Sequence, residues 1–165
     1  MISKYFLIAC LSFCTFLCKA QVSGLKDLEA CISRSAVRVG DSLVSKGWKL
    51  DIAMTGNYEN DYYHTFSFGN LKTDPTRALA WLRIHNTEPA VNRVYYQAPD
   101  KAAYTLLLKE IEALQPDKSD GQIVDNQILT IYSTKNFIYQ SIVTSTSYII
   151  AVIAPAYFKD QTQNP

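Results

Sequence analysis

The chain has 165 residues, with 16 Lys and Arg against 15 Asp and Glu and two histidines, for a net charge of +1. A balance this close to neutral excludes the basic field that nucleic acid or anionic lipid demands. No Gly-rich phosphate loop, HExxH, CxxC or nucleophile elbow occurs, so no cofactor, metal or motif-defined catalytic residue is assigned.

The N-terminus reads as a secretory signal peptide over residues 1–20. Lys4 supplies the cation, Tyr5 to Leu17 is a nearly unbroken apolar run, and Cys18-Lys19-Ala20 places small residues where a signal peptidase reads. The run is shorter than the roughly 20 apolar residues that span a bilayer, and no later stretch reaches that length. Leu7-Ile8-Ala9-Cys10 has the look of a lipobox but leaves almost no hydrophobic region before its cysteine, so a lipoprotein is not expected. Cleavage after Ala20 would leave a secreted or periplasmic chain starting at Gln21. Cys10, Cys14 and Cys18 leave with the signal, and the remaining thiol, Cys31, cannot form an internal disulfide. It sits beside Ile32 in an apolar-periodic segment, as a buried, inert cysteine would. Loss of Lys4 and Lys19 leaves 14 bases against 15 acids, a net charge of about −1.

Residues 21–158 are expected to form a single domain, large enough to bury about two thirds of its unfolded surface without a metal or disulfide. Leu25, Leu28, Ile32, Val39 and Leu43 recur at helical spacing, and Lys46-Gly47 closes that helix. The period then switches to two. Trp48, Leu50, Ile52 and Met54 alternate with polar or small residues as a half-buried strand, and Thr55-Gly56-Asn57 is turn chemistry. Further strands are predicted at Tyr62–Phe68, Arg77–His85 and Val91–Gln97. Asp100 is placed to cap a second helix carrying Tyr104, Leu107, Leu108, Ile111 and Leu114, which Pro116 stops. Asp117 to Gly121 reads as a polar loop. Strands follow at Gln127–Tyr132, Phe137–Thr144 and Tyr148–Ala154, with a short one at Ile123–Val124. The tail 159–165 has nothing to bury and is expected to be mobile. Short connections favour antiparallel pairing, so the fold class is α+β, two helices packed on antiparallel sheet. The element order suggests halves 21–97 and 98–158, as two helix-plus-four-strand repeats would give.

The densest group of chemical residue types is Tyr58-Glu59-Asn60-Asp61-Tyr62-Tyr63-His64. A metal reading would combine His64 with Asp61, Glu59 and His85. Strand alternation argues against it. Tyr62, His64, Phe66 and Phe68 share one face, Tyr63, Thr65 and Ser67 the other, and Glu59 and Asp61 fall at a solvated turn. In the third strand, Ala78, Ala80, Leu82 and Ile84 form the core side, leaving Leu79, Trp81, Arg83 and His85 on the opposite face. Trp81 with Arg83 and His85 reads as an exposed aromatic–cationic stripe suited to an interface; the other reading places Trp81 under a loop with Arg83 packed across it as a cation–π pair. The 11 tyrosines suit a sheet with one wet face, which also offers rigid contact area with a polar tip. The leading expectation is a non-catalytic binding protein with a protein or glycan partner, using Trp81, Arg83, Tyr62 and Tyr63. The alternatives are a small secreted hydrolase using His64 or His85, and an envelope-associated structural protein.

Two short segments carry a resemblance. Ser45-Lys46-Gly47-Trp48, and Tyr95-Tyr96-Gln97 running into a helix with Tyr104 and Leu107-Leu108, resemble a pattern in uncharacterised secreted proteins of Bacteroidetes-type bacteria. The resemblance implies secretion and transfers no functional residue. The helix-plus-sheet order is also similar to that of proteinaceous beta-lactamase inhibitors, without their paired cysteines, and implies fold alone.

Overall fold

The computed structural model describes residues 22–74 and 76–158. The expected signal peptide (1–20), its three cysteines and the tail 159–165 lie outside the described residues.

The first apolar-periodic segment folds as two helices where the spacing predicts one: α1 (Leu25–Glu29) and α2 (Ala36–Ser45). Ser33 takes a left-handed backbone at φ 65. Its N–H bonds the Val91 carbonyl at 2.9 Å, and the Val91 N–H bonds the Arg34 carbonyl at 2.7 Å. Backbone groups that a continuous helix would pair internally are thus taken by a passing loop. The apolar period survives the break because Leu25, Leu28, Ile32, Val39 and Leu43 all remain buried. Ser35 restarts the helix, its side chain accepting from the Arg38 N–H. The end of α2 is as predicted. Gly47 sits at φ 89, and the N–H groups of Gly47 and Trp48 bond the carbonyls of Val44 and Leu43.

Four strands follow, β1 (Lys49–Tyr58), β2 (Asp61–Phe68), β3 (Ala80–Asn86) and β4 (Arg93–Gln97). Helix α3 (Lys101–Ala113) begins at Asp100, whose carboxylate accepts from the Ala103 N–H at 2.8 Å. Then come β5 (Asp117–Lys118), β6 (Gln122–Val124), β7 (Gln127–Ser133), β8 (Ile138–Val143) and β9 (Tyr148–Ile153), with a helical turn at 155–158. The predicted loop at 117–121 therefore contains a short strand, paired with β7. All pairings are antiparallel in one nine-stranded sheet, ordered β1-β2-β3-β4-β9-β8-β7-β5, with β6 also on β7. The fold class is α+β. The two strand runs meet through their last members, β4 and β9. This order does not establish a repeat, since among the described residues two helices precede the first run and one precedes the second.

The predicted turn at Thr55-Gly56-Asn57 lies inside β1. Asp51 pairs with Thr65 but Gly56 with Tyr63, so residues 52–55 together oppose His64 alone. Hydroxyls hold this wide bulge: Thr55 Oγ1 donates to the Asp51 carbonyl at 2.8 Å, and Thr65 Oγ1 to the Met54 carbonyl at 2.6 Å. Because β1 is an edge strand and bulges here, the apolar alternation does not bury. Leu50, Ile52 and Met54 are all exposed, Ile52 by 80%. The chain reverses at Glu59-Asn60, with Glu59 at φ 52.

The helices cover one sheet face. Phe66, Leu82, Ile84, Val94, Tyr96, Ile150 and Val152 pack there against Leu28, Val39, Leu43, Leu107 and Ile111. Two polar ties anchor this layer. Tyr139 donates to Glu29 across 2.8 Å, and the Tyr104 and Ser141 hydroxyls meet at 2.7 Å. On the other face a smaller cluster of Ile138, Ala151 and Ile153 is covered by Tyr157 and Phe158 from the last helical turn.

Candidate functional site

Strand register decides what the face opposite the helices presents. Across β2, β3 and β4, one row reads Tyr63, His85, Arg93, the next Thr65, Arg83, Tyr95, and a third Ser67, Trp81, Gln97. Directly paired residues share a face, so these nine side chains form one surface.

The first row encloses an ionic cluster. Asp61, the first residue of β2, accepts a hydrogen bond from His85 Nδ1 at 2.9 Å and a second from Arg93 Nη2. Asp61 is thus a strand residue with a 23% exposed side chain, not the solvated turn carboxylate that its polar surroundings suggest. The turn is completed by Glu59 and Asn60, and the hairpin then draws Asp61 inward beneath β3 and β4. Burial pushes the Asp61 carboxyl up, but the bonds from Arg93 and His85 and their charges outweigh it, leaving it below the ordinary carboxylate range. For His85, burial depresses the pKa, and the positive charges of Arg93 and Arg83 add to this. The bond to Asp61 opposes them, and the net shift is downward. The imidazole is therefore neutral at pH 7, with the Nδ1 proton directed to Asp61. Arg93 is 6% exposed and lies over the Tyr157 ring at 4.3 Å. Asp61 Oδ1 and Arg93 Nε are buried without a hydrogen-bond partner among the described residues.

In the second row Thr65 is buried and Arg83 and Tyr95 are half-buried, and all three residues of the third row are half-buried. Arg83 Nε donates to Thr65 Oγ1 at 2.9 Å, and Thr65 is 1% exposed. The Arg83 guanidinium lies 5.2 Å from the Tyr63 ring centroid and 5.7 Å from that of Trp81. Among the described residues no carboxylate pairs with Arg83, and its terminal amino groups have no hydrogen-bond partner. Tyr63 reaches this position by crossing Gly56, where an added Cβ would stand 2.8 Å from the tyrosine hydroxyl. Only a residue without a side chain leaves that path open.

Of the four residues named from sequence, Trp81, Arg83 and Tyr63 come together. Tyr62 does not join them: it pairs with Asn86 and is 49% exposed on the face of His64. His64 is half-buried on the helix side, so His64 and His85 lie on opposite faces and cannot share a metal. Among the described residues no group of three His, Cys, Asp or Glu could hold a metal ion. Arg93 was not legible as a site residue. Only the β3–β4 register, which places it opposite His85, reveals it.

A hydrolase working through a covalent intermediate would need a side-chain nucleophile in reach of an imidazole. His85 Nδ1 bonds Asp61 and lies 3.1 Å from Arg93 Nη2, and among the described residues no hydroxyl or thiol bonds the imidazole. A cavity of about 190 Å³ lies on the helix side, away from this cluster, and is lined in part by Cys31, Arg34, Lys46 and Trp48. Burial pushes the Cys31 thiol up to about 11, so it supplies no thiolate at neutral pH. A more open, polar groove of about 450 Å³ is lined by Lys49, Asp51, Ser67, Asn70 and Thr76, next to the Trp81 row. Against known protein families, curated proteins and solved structures, the chain has no significant match.

Proposed function

We infer that this is a secreted or periplasmic binding protein without catalytic activity, and that its ligand sits on the sheet face opposite the helices. The observation that carries this reading is the pairing of Arg83 with Tyr63 and Trp81. A guanidinium held from below by Thr65, flanked by two aromatic rings and lacking a carboxylate, is a recognition surface. The Asp61–His85–Arg93 cluster beneath it is structural. It fixes the floor of the site, and among the described residues no hydroxyl or thiol bonds its neutral histidine.

The test uses the isotopically labelled mature chain from Gln21, titrated with fractionated peptides and glycans from the cell envelope. Binding should shift the Trp81 indole N–H and the Tyr63 and Arg83 signals, leave Tyr62 and His64 unmoved, and be abolished by Trp81→Ala. Shifts confined to the helix side, or substrate turnover abolished by His85→Ala, would overturn this reading.

A further inference from the structure

We propose that the ligand is an acidic glycan, with the carboxylate of a uronic acid held by the Arg83 guanidinium. The proposal rests on the binding-face reading above and adds the chemistry of the ligand. Thr65 Oγ1 engages Nε, leaving the two terminal amino groups as a planar fork. That fork matches a carboxylate in two parallel hydrogen bonds. Charge favours the same ligand. Asp61 is already matched by Arg93, so among the nine side chains of the three rows Arg83 carries the cation with no carboxylate against it. A peptide strand fits less well. β3 is hydrogen-bonded on both sides by β2 and β4, so no backbone groups remain there to receive one. The surface offers side chains only, and beside Arg83 these are an indole, an amide and a hydroxyl in one row: Trp81, Gln97 and Ser67. Such groups suit a ring with an apolar C–H face and several hydroxyls. The row leads by way of Ser67, the register partner of Lys49, into the polar groove of about 450 Å³. That volume falls within the roughly 300–1,000 Å³ of small-ligand sites. Its lining carries the Lys49 cation and the Asp51 carboxylate, whose Oδ1 accepts from the Met54 N–H, so the groove itself is charge-balanced and the carboxylate is assigned to Arg83.

The experiment titrates the mature chain with trigalacturonate, with its methyl ester and with a short neutral peptide bearing one terminal carboxylate, read by calorimetry and by the Trp81 indole signal. Trigalacturonate should bind at least about tenfold more tightly than the ester or the peptide. Arg83→Lys, which keeps the charge and loses the fork, should remove most of that preference, while Trp81→Ala weakens acid and ester together. Equal binding of acid and ester at the Trp81 face would overturn the uronate assignment and leave the binding-face reading standing. So would tighter binding of the peptide. Failure of all three probes to move Trp81 or Tyr63 would count against both.

Discussion

Replacing Asp61 by alanine tests the ionic cluster directly. Asp61 is the carboxylate that neutralises Arg93, whose side chain is 7% exposed, and it also receives the His85 Nδ1 proton. Arg93 is pinned by the sheet on one side and by Tyr157 on the other, so its guanidinium cannot swing to water without disrupting that stack. Removing one partner of a buried pair leaves an uncompensated charge, which costs about 3–5 kcal/mol. Asp61 is 23% exposed, so the lower half of that range is the appropriate expectation. For a domain of this size the melting temperature should fall by roughly 10 °C. Chemical denaturation of wild type and Asp61→Ala at pH 7 measures the difference. The double variant Asp61→Leu, Arg93→Met removes both charges and should recover most of the loss. A single-variant cost under about 1 kcal/mol, or a double variant no better than the single, would refute the reasoning. The acid limb supplies a second check. The folded pKa of Asp61 lies below its ordinary 3.8, so its contribution is present above that value and lost as pH falls through the depressed one. Asp61→Ala should therefore lose less stability than wild type on acidification below about pH 4.

His85 titrates with the same sign from a different cause. Its folded pKa lies below the ordinary 6.5, so the unfolded chain takes up a proton first and stability falls as pH drops below that value. His85→Phe should flatten the stability profile below about pH 6.5, measured by denaturant midpoints. Gly56→Ala places a methyl group against the end of the Tyr63 ring, which can swing aside. Expect a loss of about 1 kcal/mol or less, with altered near-ultraviolet circular dichroism and a shifted Trp81 indole signal as the Arg83 stack opens. Tyr139→Phe deletes the hydroxyl that ties β8 to Glu29 of α1, and should cost about 1.5–3 kcal/mol by denaturation. In a chain that starts at Gln21, and so carries Cys31 as its one thiol, Cys31 should resist thiol reagents at pH 7 and react only at the rate of unfolding, since it is 9% exposed with its thiol raised to about 11.

Periodicity alone determined much of this protein. The alternation from Tyr62 to Phe68 and from Ala80 to His85 assigned each side chain to its face, because successive strand residues point to opposite sides whatever the neighbours are. Lys46-Gly47 and Asp100 marked helix ends for equally local reasons: a left-handed glycine and a side-chain oxygen satisfy backbone groups a few residues away. The stripe of Trp81 and Arg83 was therefore visible in the sequence. Register and long-range pairing were not. The break between α1 and α2 depends on Val91, which lies more than fifty residues along the chain. The bulge in β1 absorbed residues with turn chemistry, and the edge position of that strand left Leu50, Ile52 and Met54 outside the core. Asp61 changed from a turn carboxylate to the centre of a buried cluster only because three strands bring it beside His85 and Arg93. Local residue preferences act over a few residues and can be read from the chain. Which strands become neighbours, and by what register, is decided by packing across the whole sheet. The proposed site lies at that level, with its face set by sequence and the neighbours of each side chain by tertiary structure.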